Sequence, residues 1–127
     1  MKIHIAILAA ALTLTAGAAL ADGDAKAGAA VFKKCGACHI ATEATNKVGP
    51  SLMGLVGRPM ASVAGYSYSP AMKAFGAGKV WDEATLTAYL ADPRGMVKGT
   101  KMGFAGLKKP DDVANVIAYL KDPAAAK

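Results

Sequence analysis

Apolar positions along the chain fall into separate stretches divided by glycine- and proline-rich segments, and each stretch has its own period. Residues 1–21 form a run of mainly Ala, Leu and Ile behind Lys2, interrupted by His4, Thr13 and Thr15, and close on Ala19-Leu20-Ala21. A positive start, an apolar middle and a small-x-small end predict an export signal cleaved after Ala21. The competing reading, a retained membrane anchor, is a marginal span because the run is Ala-heavy and interrupted. Residues 24–34 predict a first helix, with Asp24 at its start, small Ala27 and Gly28 admitting another helix closely, and Val31 and Phe32 facing inward. Residues 41–65 carry Gly49-Pro50, Gly54, Gly57, Arg58-Pro59 and Gly65, the punctuation of an Ω-like loop.

Ser69-Pro70 pairs an N-cap with a first-turn proline and predicts a short helix over 70–75, before Gly76 and Gly78. A third helix starts at Asp82, places Glu83 in its positive first turn, sets Leu86, Tyr89 and Leu90 on one face, and stops at Asp92-Pro93. Residues 94–109, with Gly95, Gly99, Gly103 and Gly106, read as a second long loop. Pro110-Asp111-Asp112 opens the last helix, where Val113, Val116, Ile117 and Leu120 recur at helical spacing until Pro123. No strand alternation and no internal repeat is present. The fold expected is all-α, several short helices and long loops wrapped around a cofactor.

Cleavage after Ala21 would leave 106 of the 127 residues as one small domain, 22–127, with limited apolar area to bury. That domain keeps 14 Lys and Arg against 9 Asp and Glu, a formal charge of +5. Lys33, Lys34, Lys47, Lys98, Lys101, Lys108 and Lys109 concentrate around the segments that carry the chemistry, and predict a basic face for acidic partners. No basic, aromatic-interleaved stripe points to nucleic acid.

The chemistry is carried by Cys35-Gly36-Ala37-Cys38-His39. Two cysteines at this spacing followed directly by histidine form the attachment site of a c-type haem: two thioethers to the vinyl groups, the imidazole beneath the iron. Zinc would need four ligands, and only His39 and His4 remain after the cysteines. A thiol redox pair would belong in a βαβ context that the glycine-rich surroundings do not provide, and a tight disulfide is the remaining alternative. With no other histidine in the domain, the far side of the iron falls to methionine, lysine, water or an open position. Met53, Met60, Met72, Met96 and Met102 are the methionine candidates, each with gap-filling in the core as its ordinary role. Met102 stands apart in the glycine-flanked segment Gly99-Thr100-Lys101-Met102-Gly103-Phe104.

Together with Val48-Gly49-Pro50, Leu55-Val56-Gly57-Arg58, Gly65-Tyr66-Ser67-Tyr68-Ser69, Trp81, Pro93, Gly106-Leu107-Lys108-Lys109 and Ala118-Tyr119-Leu120, these segments make the chain resemble a class I cytochrome c, of the mitochondrial and bacterial cytochrome c2 kind. The resemblance covers almost the whole of 22–127 in the family's order. It implies one covalent haem c on Cys35 and Cys38, with His39 and Met102 as axial ligands. It further implies that the Pro50 carbonyl accepts a hydrogen bond from His39, that Arg58, Tyr68, Trp81 and Thr100 contact the haem propionates, that the Tyr89 hydroxyl lies near the methionine sulfur, and that Phe104 covers the haem edge. Gly28, Phe32 and Tyr119 match the crossing of first and last helices. On residue type alone Arg58 reads as a surface charge and Trp81 and Tyr68 as packing, and the resemblance assigns Tyr66 no role.

Three departures stand out: Met72 where many members carry asparagine, about two extra residues between Met72 and Trp81 by comparison with the mitochondrial form, and Lys98 in place of a common proline. The function implied is a soluble, monomeric, periplasmic one-electron shuttle, not an enzyme, between a quinol-oxidising complex of the cytochrome bc1 type and a cytochrome oxidase or photosynthetic reaction centre, meeting membranes only peripherally. The alternatives are a haem-based ligand-binding or sensor protein, a donor to a dedicated periplasmic redox enzyme, and a peroxidase-like enzyme, the last lacking a distal histidine.

Overall fold

The computed structural model describes residues 22–127; the expected export segment, with His4, lies outside them. Five α-helices follow one another: α1 (Ala25–Phe32), α2 (Pro70–Gly76), α3 (Glu83–Ala91), α4 (Pro93–Met96) and α5 (Pro110–Lys121), with a closing 3-10 turn at Pro123–Ala126. Among the described residues there is no strand, only an isolated antiparallel bridge between Pro59 and Val80. The all-α expectation holds.

Local chemistry starts each element. Asp24 is extended and its carboxylate accepts from the amides of Lys26 and Ala27, satisfying donors that the first helical turn leaves free. Ser69 and Asp82 cap α2 and α3 in the same way, through the amides of Met72 and Thr85. α5 has no side-chain cap; Pro110 at its first position lacks the amide that would need one, and Asp111 and Asp112 face the positive end of the helix dipole.

One prediction needs correcting. The second loop does not begin at Arg94, because Pro93–Met96 forms a helical turn. Asp92 ends α3 and at once caps α4, accepting from Gly95 N at 3.0 Å, while Pro93 supplies a first-turn φ. A stop signal for one helix is therefore the start signal of the next.

α1 and α5 cross at Gly28. A Cβ there would stand 1.9 Å from the Asn115 carbonyl oxygen, so only glycine lets the two backbones meet. Asn115 Oδ1 accepts from Asp24 N at 2.8 Å, and the rings of Phe32 and Tyr119 pack at 5.1 Å further along the crossing. Val113, Val116, Ile117 and Leu120 of α5 are buried against Leu86 and Tyr89 of α3, Val97, Leu107 and Trp81. Burying each aliphatic side chain of this set stabilises the fold by about 1.5–3 kcal/mol before chain entropy is counted. The crossing fixes the end of α1, and with it the start of the cysteine motif.

Candidate functional site

After Phe32 the chain stays in a turn through Cys38: Cys35 N and Gly36 N both donate to the Phe32 carbonyl, and His39 N donates to Cys35 O at 2.9 Å. The motif thus prolongs α1 loosely, and its two cysteines are half-buried free thiols. Burial pushes the Cys35 thiol above its ordinary range, opposed by the charge of Lys34. Lys47 Nζ donates to Gly36 O at 2.8 Å and straps the following loop onto the motif.

His39 Nδ1 lies 2.8 Å from the Pro50 carbonyl. A carbonyl only accepts, so Nδ1 carries the proton and Nε2 keeps its lone pair for a metal. Burial, opposed by the Pro50 bond and reinforced by the charges of Arg58 and Lys47, holds the imidazole below its usual value and hence neutral. Gly49 forms the wall beside the ring, where a Cβ would come within 2.3 Å of Cε1. This wall is a role that residue type did not reveal; its signal was the glycine held between Val48 and Pro50. Gly49 N donates to Cys38 O at 2.8 Å, which ties wall to motif.

The methionines separate by environment. Met53 is exposed, Met60 is buried with its Cβ against Gly76, and Met72, Met96 and Met102 are partly buried against the core. Met102 is the one reached by Tyr89, whose hydroxyl stands 3.7 Å from Sδ. Burial pushes the Tyr89 phenol up to about 12, so it remains a neutral donor. The Tyr89 ring packs on that of Trp81 at 4.8 Å, and Met102 N donates to Thr100 Oγ1 at 3.2 Å. Thr100 therefore braces the methionine segment from within, and Phe104 packs against the core two residues beyond Met102.

Gly57 N donates to Trp81 O and Trp81 N to Arg58 O, a pairing that sets Arg58 beside Trp81. The Arg58 guanidinium donates to the carbonyls of Ser51 and Met53 at 2.9 and 3.1 Å, while its Nε is buried with no partner. Tyr68 lies near enough to oppose the effect of burial on Arg58, and its hydroxyl accepts from Val63 N at 3.0 Å, leaving its own proton to donate. An orphaned guanidinium N–H in a buried position is costly unless an acceptor completes it. The carboxylate of a haem propionate is such an acceptor. Free thiols on one turn, a neutral imidazole with an open Nε2, a thioether held by a phenol and this orphaned donor together suit a haem c.

The lysines expected to form a basic face, Lys33, Lys34, Lys47, Lys98, Lys101, Lys108 and Lys109, are all exposed. Lys108 also acts as a strut, its ammonium donating to Ala91 O and Ala105 O. No helix among the described residues is long and apolar enough to cross a membrane.

The chain is similar to known proteins over most of its length. The profile of the family described as Cytochrome c matches residues 25–123. The chain is 52% identical over 99 residues to cytochrome c-550 of Nitrobacter winogradskyi, covering 77% of this chain and 89% of that protein. Over 91 residues it is 55% identical to cytochrome c2 iso-2 of Magnetospirillum fulvum, with 71% and 92% covered. The solved structure of cytochrome cH from Methylobacterium extorquens superposes with a TM-score of 0.71 at 46% identity, over 78% of this chain and 98% of that one.

Proposed function

The chain belongs to the cytochrome c family, whose members carry one covalent haem c and act as electron carriers, and we propose that it is a periplasmic shuttle in which His39 and Met102 ligate the iron. Bound haem c supplies a one-electron Fe(III)/Fe(II) couple. The observation that carries the reading is the pair of supports behind the two ligand atoms: Pro50 fixes the His39 tautomer, and Tyr89 addresses the Met102 sulfur.

Each residue has a task. Cys35 and Cys38 hold the group by thioethers, so it stays with the carrier through repeated encounters. His39 presents Nε2 with its ring wedged by Gly49. Met102 offers a thioether, a poor donor to ferric iron, and therefore favours the reduced state and a high potential. Arg58, Tyr68, Trp81 and Thr100 serve the propionates, with the Arg58 Nε completed there, and Phe104 shields the edge. With His39 and Met102 both holding the iron, substrates would be kept from it, and the chain would act as a carrier and not as an enzyme.

The exposed lysines steer encounter with acidic surfaces on a cytochrome bc1-type complex and on a cytochrome oxidase or reaction centre. Export with cleavage after Ala21 would place the domain, 22–127, where those surfaces face it. Stopped-flow electron transfer with an acidic redox partner tests the shuttle: the second-order rate should fall steeply with added salt, and an indifferent rate would rule the basic face out.

A further inference from the structure

The two proposed ligands sit in loops far apart in sequence, and one short segment touches both. On the His39 side, the Tyr66 hydroxyl donates to Val48 O at 2.9 Å, next to Gly49 and Pro50, which hold the imidazole. Asn46 adds a second stitch between the same loop and segment, its Nδ2 donating to Ala64 O at 3.2 Å while its Oδ1 accepts from Ser51 N. On the other side, the Lys101 ammonium lies over the Tyr66 ring, 4.7 Å from the centroid, and donates to Ser67 O. Lys101 immediately precedes Met102. The segment is itself stiff: the Tyr66 and Tyr68 rings pack edge-on at 4.8 Å, and Tyr68 is pinned by Val63 N.

We propose that Tyr66, gripped by Lys101, is a positioning residue that ties the loop behind His39 to the loop presenting Met102, so that loosening either one opens the methionine side. The glycine-flanked loop needs such a tie. Its base is held by Thr100 N to Val97 O and by buried Val97, but its tip reaches the rest of the protein through Lys101 and through the contact of Met102 with Tyr89. One aromatic side chain, bonded at its hydroxyl to one loop and capped on its face by a cation from the other, transmits displacement between them because a swing of the side chain about χ1 breaks both contacts together.

This inference rests on the ligation reading above. The test is the rate at which free imidazole binds the ferric holoprotein, since binding requires Met102 to leave. Tyr66→Phe removes only the hydroxyl on the His39 side and keeps the ring; Lys101→Met removes the cation and keeps the stem; Val116→Ala weakens the core of α5 away from the segment. Tyr66→Phe should accelerate imidazole binding about three- to tenfold, the ratio expected for losing one hydrogen bond. Lys101→Met should do likewise, the double variant should fall short of the product of the two, and Val116→Ala should lower Tm at an unchanged rate. The coupling is overturned if Tyr66→Phe stays within about twofold of wild type, if the two effects multiply, or if Val116→Ala accelerates binding as much. Absence of the methionine-to-iron absorption band from the wild-type ferric protein overturns the ligation reading and the coupling with it; a normal band with an indifferent Tyr66→Phe overturns the coupling alone.

Discussion

Gly49 presses so closely on the imidazole of His39 that a methyl group on its Cα would stand 2.3 Å from Cε1 and 2.7 Å from Nδ1. The bond from Nδ1 to the Pro50 carbonyl holds the ring in this place. Gly49→Ala should therefore cost about 1–3 kcal/mol of holoprotein stability and shift the haem spectrum through a displaced imidazole. Urea denaturation followed at the haem absorption measures both; wild-type stability with an unchanged spectrum would show that the wall is not tight.

With Met102 as the proposed ligand, the Tyr89 hydroxyl, 3.7 Å from its sulfur, would withdraw electron density and weaken the donation to ferric iron. Tyr89→Phe should lower the reduction potential, by about 20–60 mV if one hydrogen bond of 0.5–1.5 kcal/mol is lost from the reduced state's advantage. A potential that rises in the variant would contradict this account of the contact.

Gly28→Ala would drive a methyl group onto the Asn115 carbonyl and part α1 from α5. A loss of about 2 kcal/mol or more is expected, seen as a lower thermal midpoint, with the spectrum of the folded protein preserved because the crossing lies outside the ligand set. A spectral change at full stability would mean that the crossing acts on the site directly.

Asp82 caps α3, and the bonds from the Thr85 amide and then its side chain hold the carboxyl below its ordinary 3.8. The unfolded chain binds this proton more readily. The cap's ionic contribution is therefore complete above pH 3.8 and is lost as pH falls through the lower, folded value. Asp82→Asn keeps a capping side chain but not its charge, so stability at neutral pH should fall slightly, by the ionic contribution alone, while the acid limb of the stability profile flattens. Equal acid limbs in the two proteins would remove Asp82 from the acid response.

Starts of elements were legible where a single side chain decides them. Asp24, Ser69 and Asp82 each satisfy helix amides within three residues, information that lies wholly in neighbouring positions. The α5 face was legible for the same reason, its four buried residues being set by helical period alone. The α4 turn was missed because Asp92-Pro93 ends one helix and begins another, and residue type does not say which role dominates. At the site, the motif announced the chemistry, and the resemblance supplied the expectation that Pro50 meets His39 and Tyr89 meets Met102. The parts that stayed hidden depend on distant backbone: Gly49 against a ring ten residues earlier, Arg58 aligned by its pairing with Trp81, and Tyr66 between Val48 and Lys101.

The most direct measurement is a potentiometric titration with optical spectra on protein matured in a haem-attaching periplasm, run beside Met102→Ala. Wild type should show a single one-electron transition at high positive potential, with the methionine-to-iron band in the ferric form, and the variant should lose the band and drop in potential. A low wild-type potential, or a ferric spectrum of open or lysine-bound iron, would contradict the assignment of His39 and Met102 as the pair that makes this chain an electron carrier.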